Sequence, residues 1–137
     1  MGLYLCIFDD DDELDGVEVG DYADFGELRN TVVNKLEWDG AGTRFPTLIL
    51  HSDCDGEWSA SDCKKLEAEL EAITAEFKQL PPKPFGSEWQ KAVVKQIRLI
   101  PKSLYDCFID VDGEPLLKRM LKLAQLAQTR HLPILFQ

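Results

Sequence analysis

Apolar and polar positions along the chain alternate between strand-like and helix-like periods. Gly2–Phe8 (GLYLCIF) is a short apolar run that reads as a buried strand. Asp9–Gly16 reads as an acidic turn, and Val17-Glu18-Val19 as a short returning strand, so the two form a hairpin with a long loop. Asp21 is placed to cap a helix from about Tyr22 to Trp38, with Tyr22, Phe25, Leu28, Val32 and Leu36 on one stripe; Gly40 and Gly42 stop it. Behind Pro46, the apolar run Thr47–His51 predicts a strand covered on both faces. Ser59 or Ser61 then caps a long helix to about Leu80, with a seam of Cys63, Leu66, Leu70, Ile73 and Phe77 at steps of three and four.

Pro81, Pro82 and Pro84 stiffen the next loop. Ser87 and Gln90 make a capping box for a helix to about Arg98, with Trp89, Val93 and Ile97 inward. Leu104–Asp110 reads as another buried strand. Pro115 opens a last helix to about Gln128, because proline's missing N–H costs least in a first turn. Pro133–Phe136 is a final short strand. The predicted order is β-β-α-β-α-α-β-α-β. It implies a single domain over residues 1–137, of α+β (α/β-like) class: a small mixed sheet with about four helices packed on it.

Composition narrows the function classes. A chain of 137 residues, 45 % apolar, can bury a core without staples. No stretch approaches the roughly 18 apolar residues that span a bilayer, and Met1–Phe8 lacks a basic leader, so a cytoplasmic location is expected. Cys6, Cys54, Cys63 and Cys107 show no C-x-x-C spacing and have only His51 and His131 for company, so reduced thiols are expected rather than a zinc site. A Cys54–His51 nucleophile pair lacks a third group to orient the base.

The charge is lopsided as well as large. Net charge is −10, and residues 1–28 hold ten acids and no Lys or Arg. Residues 78–137 hold ten Lys or Arg against five acids. Such an acidic face repels phosphate backbones and steers a basic partner, so neither nucleic acid nor membrane is expected as a ligand.

One motif recurs. Ser52-Asp53-Cys54-Asp55-Gly56-Glu57 resembles Ile109-Asp110-Val111-Asp112-Gly113-Glu114, and both place D-x-D-G-E ahead of a helix. Glycine permits the tight turn, and carboxylates can take the next helix's free N–H groups, so one structural role explains both copies. A chemical reading competes with it: Phe108–Gly113 resembles the first motif of haloacid-dehalogenase-type phosphatases, in which the paired aspartates work with magnesium. Here that motif stands near the C-terminal end, and Glu114 occupies the place of the family's threonine. A metal-dependent hydrolase using Asp53, Asp55, Asp110 and Asp112 would require both turns to converge. An EF-hand fits no better: Asp11, Glu13, Asp15 and Gly16 match positions of its loop, but Tyr22 stands where a bidentate Glu belongs. No phosphate-binding, dinucleotide or zinc-protease motif occurs. Neither catalytic residues, nor a metal site, nor a cofactor is expected.

Longer segments carry a family resemblance. Gly2–Cys6, Glu13–Gly20, Tyr22–Phe25, Phe45–Leu48, His51–Trp58, Phe108–Leu116 and Pro133–Gln137 are similar to the immunity protein 70 (Imm70) family over nearly the whole chain. The resemblance implies an α+β immunity protein of a bacterial polymorphic toxin system, which binds a toxin domain inside the producing cell. The expected partner is a toxin with a basic surface. The expected contact surface is the acidic hairpin loop (Asp9, Asp10, Asp11, Asp12, Glu13, Asp15) and the first D-x-D-G-E turn (Asp53, Asp55, Glu57, Trp58). A non-catalytic scaffold module is the remaining alternative.

Overall fold

A computed structural model describes residues 2–52 and 55–137. The chain opens with two long strands, β1 (Gly2–Asp9) and β2 (Asp12–Asp21), followed by helix α1 (Tyr22–Leu36) and the short helix α2 (Pro46–Ile49). Next come β3 (Glu57–Trp58), α3 (Ala60–Phe77), α4 (Glu88–Ile97), a 3-10 turn (Leu104–Cys107), α5 (Leu116–Arg130) and β4 (Ile134–Phe136). The strands form one sheet in the order β2-β1-β4-β3, and every pairing is antiparallel. The α+β class expected from the sequence is the class observed.

The core follows the residue periods. Leu3, Leu5 and Ile7 of β1 and Val17 and Val19 of β2 are buried, and they meet Phe25, Leu28 and Val32 of α1. The α3 seam (Leu66, Leu70, Ile73, Phe77) is buried against α5, whose Leu117, Met120 and Leu123 alternate with Ala124 and Ala127. Full burial of each large side chain contributes about 1.5–3 kcal/mol, so this layer of helices on sheet dominates stability.

Local capping explains the helices. Ser59 Oγ accepts the Asp62 N–H at 3.0 Å while Asp62 Oδ2 accepts the Ser59 N–H at 3.1 Å, which selects Ser59 over Ser61 as the α3 cap. Gln90 Oε1 accepts the Ser87 N–H at 3.3 Å at the start of α4. Asp24 Oδ2 accepts the Asp21 N–H at 2.8 Å where α1 begins. These are reciprocal side-chain and backbone exchanges of the capping-box kind.

Two expected strands are not strands. Thr47–His51 begins instead within α2: Pro46 occupies its first turn, and Glu69 of α3 accepts the N–H groups of Thr47 at 3.2 Å and Leu48 at 3.0 Å. That buried carboxylate supplies the acceptors a helix start lacks, and a short apolar run by itself does not choose between strand and helix. Leu104–Asp110 likewise gives a 3-10 turn and then a single bridge, Ile109 to Pro115. Its chain is turned back by Asp106 Oδ2 on the Lys102 N–H at 2.9 Å and by the Leu104 N–H on Leu80 O at 2.9 Å. The expected mixed sheet is therefore an antiparallel one, with only Glu57–Trp58 added to its far edge.

The hairpin also differs from expectation. β2 starts at Asp12, not Val17, and Asp9 pairs with Asp12, so only Asp10 and Asp11 form the tip. Asp10 takes a left-handed φ of 54°, a conformation Asp tolerates better than most residues. The register shifts by one residue of β2 between Leu3 and Tyr4 and again between Ile7 and Phe8, so Val19 and Leu14 are the extra residues of two bulge-like irregularities.

Candidate functional site

The six acids of the hairpin fall into two sets. Asp9 pairs with Arg130 at 3.0 Å, Asp15 with Arg119 at 3.3 Å, and Glu13 accepts a hydrogen bond from the Tyr4 hydroxyl. That bond, more than partial burial, pushes the Tyr4 phenol up to about 12. Asp15 Oδ1 also accepts the Gly16 N–H at 2.8 Å. Asp10, Asp11 and Asp12 are exposed, and their carboxylates have no hydrogen-bond or ion-pair partner among the described residues. The hairpin thus projects three unneutralised charges, two from its tip and one from the first residue of β2, above a base fixed by Arg119 and Arg130.

Arg119 was not singled out by the sequence. Its Nη2 donates to Gly16 O at 2.8 Å and approaches Asp15, and its Nε lies 3.6 Å from Asp110 Oδ2. One guanidinium therefore joins the hairpin to the second D-x-D-G-E turn. No local signal could have found a partner 104 residues away.

In that second turn the motif is structural. Asp110 is 3 % exposed, and its Oδ1 accepts the N–H groups of Asp112 at 2.9 Å and Glu114 at 3.0 Å. Gly113 supplies a φ of +85°, and a Cβ there would stand 2.7 Å from Ile97 of α4, so glycine meets both backbone and packing demands. Burial pushes the Asp110 carboxyl above its ordinary range, opposed by the two N–H donors and Arg119. Asp112 and Glu114 are exposed, and they line an open cavity together with Asp110, Lys118 and Arg119.

The first turn is described in part. Asp53 and Cys54 lie outside the described residues, so the Cys54–His51 pairing does too. Asp55 and Glu57 are exposed. Trp58 corrects an expectation: only 1 % exposed, it packs edge-on to Phe136, and its Nε1 donates to Thr47 O at 3.0 Å. It supports this turn from beneath and offers no ring to a partner. Trp38 is the tryptophan that is exposed, at 81 %.

The two turns do not converge. The first leads into β3, and its Gly56 O accepts the Phe136 N–H at 3.1 Å; the second is bonded to β2 through Val111 N–H on Glu18 O at 3.1 Å. β2 and β3 are opposite edges of the sheet, three strand spacings or about 14 Å apart. Asp55 therefore does not join Asp110 and Asp112 in one pocket, as the hydrolase reading demands. Among the described residues no three His, Cys, Asp or Glu side chains are grouped to hold a metal ion. Cys6, Cys63 and Cys107 are buried free thiols, and burial pushes Cys6 up to about 11 and Cys63 up to about 12, well above what a thiolate nucleophile needs. Among the described residues no helix is long and apolar enough to cross a membrane.

The family model described as Immunity protein 70 matches residues 3–136. No curated protein and no solved structure matches the chain. With all but the first two residues and the last one covered, the chain belongs to the Imm70 family of immunity proteins.

Proposed function

We propose that this protein neutralises a cognate toxin domain by binding it in the cytoplasm of the cell that makes the toxin, and that it does so without catalysis. The family match over residues 3–136 carries this reading. The contact surface proposed is the hairpin tip Asp10 and Asp11 with the adjoining Asp12, with Asp9, Glu13 and Asp15 as its charged base, and the exposed Asp55 and Glu57, with Asp53, on the first turn; Trp58 braces that turn. Three unpaired carboxylates on a short, anchored hairpin lose little conformational freedom on docking, and they attract a basic surface over a Debye length. Carboxylates that cover a basic active site would give fast, salt-sensitive association.

The test is co-expression with the product of the adjacent gene, scored for growth rescue and for a stable complex. Rescue by the native protein, with loss of rescue in Asp10→Asn/Asp11→Asn/Asp12→Asn, is the expected result. Full rescue by that triple variant removes the hairpin tip from the interface, and absence of rescue by the native protein removes the neutralising role.

A further inference from the structure

A groove of about 750 Å³ runs between the hairpin and α4, walled by Tyr4, Glu18, Gly20, Trp89, Val93 and Val111. Tyr4 and Glu18 are direct cross-strand partners, one step out of phase with the buried Leu3, Leu5, Val17 and Val19, so both stand on the opposite face of the strand pair. Gly20 opens the floor: its φ is +114°, and a Cβ there would meet Trp89 at 2.6 Å and Asp24 Oδ2 at 2.8 Å. The indole is clamped, because Trp89 Nε1 donates to Asp24 Oδ2 at 2.9 Å and the Ser87 hydroxyl donates to the same carboxylate. Glu18 is exposed, and its carboxylate has no partner among the described residues.

An exposed anion beside two aromatic rings is the chemistry that holds a guanidinium, which stacks on a ring face while its N–H fork meets a carboxylate. The chain itself places cations over Phe25, Phe45, Tyr105 and Phe108, at 4.7–5.4 Å from the ring centres. Among the described residues, none is placed over Tyr4 or Trp89. We infer that the groove between the hairpin and α4 is a docking pocket for an arginine side chain of the partner protein, stacked against Trp89 and Tyr4 and paired with Glu18. This rests on the neutralising role and deepens it: the hairpin tip steers the toxin by long-range charge, and the groove anchors it. A rigid wall and a free carboxylate suit such an anchor, because little must be ordered when it fills.

Titration of the 15N-labelled protein with an acetylated, amidated Gly-Arg-Gly peptide tests the groove alone. The expected result is saturable shifts of the Trp89 indole N–H and the Gly20 amide at millimolar peptide, with no such shifts from the citrulline peptide. Glu18→Gln, an exposed and isosteric change, should raise the midpoint about fivefold or more, as expected for a lost charge-assisted hydrogen bond. Equal shifts from the citrulline or lysine peptide, or an unchanged midpoint in Glu18→Gln, would overturn the inference. The same variant measured against the purified toxin should bind about tenfold more weakly. Unchanged toxin affinity would overturn the docking role while leaving neutralisation standing; failure of the native protein to protect would strike neutralisation and leave the peptide result intact. A native protein that sediments as a dimer, with Glu18→Gln a monomer, would assign the groove to a second copy and likewise overturn it.

Discussion

Glu37 and Asp11 carry the same charge and do opposite things. Glu37, at the C-terminal end of α1, is 3 % exposed; its oxygens accept the N–H groups of Gly42 at 3.0 Å, Arg44 at 2.9 Å and Phe45 at 2.9 Å. Glu69 and Asp110 serve in the same manner, at the start of α2 and inside the second turn. Asp11 and its neighbours Asp10 and Asp12 organise nothing and stand in water. An acidic composition therefore hides two populations. The buried set replaces water around loop N–H groups that have no backbone acceptor, and the exposed set sets the field a partner meets.

By that division, the largest effect belongs to Glu37→Ala. It strands three loop N–H groups, and we expect a loss of about 3 kcal/mol in urea unfolding; a loss under about 0.5 kcal/mol would place Glu37 with the surface set. Asp110→Asn sharpens the contrast through pH. The folded-state pKa of Asp110 is raised, so the native protein holds more protons than the unfolded chain above the ordinary Asp range. Its contribution is full below about pH 4 and declines as pH rises through the folded value. Native protein should therefore lose stability relative to Asp110→Asn as pH climbs above the ordinary Asp range, read from urea midpoints at stepped pH; a parallel pair of profiles would refute the burial of that charge.

Smaller effects are expected from the surface. The Asp9–Arg130 pair is nearly half exposed at both ends, and a double-mutant cycle should give about 0.5 kcal/mol, falling with added salt. Smallest of all, Asp10→Asn/Asp11→Asn/Asp12→Asn should leave unfolding within about 0.5 kcal/mol of native, because these groups touch nothing and Asn tolerates the left-handed φ of Asp10. A large drop in stability there would mean the tip is part of the scaffold.

What the sequence made legible is local. The capping pairs Ser59/Asp62 and Ser87/Gln90, the α3 seam and Pro115 before α5 are written within a few residues of the structure they produce. Illegible were the features decided from afar. Glu69, over twenty residues downstream, turns Thr47–Ile49 into a helix, and β3 is a strand only because Leu135 and Ile134 lie beside Glu57 and Trp58. The site divides in the same way. The count of hairpin acids is visible in the chain, whereas their sorting into paired and free depends on Arg119 and Arg130, more than 100 residues away. Trp58 beside an acidic turn resembles a surface anchor until Phe136 and Thr47 close over it.

β4 sits between β1 and β3, so the sheet's middle is supplied by the segment Ile134–Phe136. During synthesis the first strand must wait for these residues to leave the ribosome, with one edge of β1 unpaired throughout. Such distant pairing slows folding, because loop closure precedes any gain in contacts. The nascent hairpin passes that interval studded with like charges, which discourage other chains from adding to its bare edge.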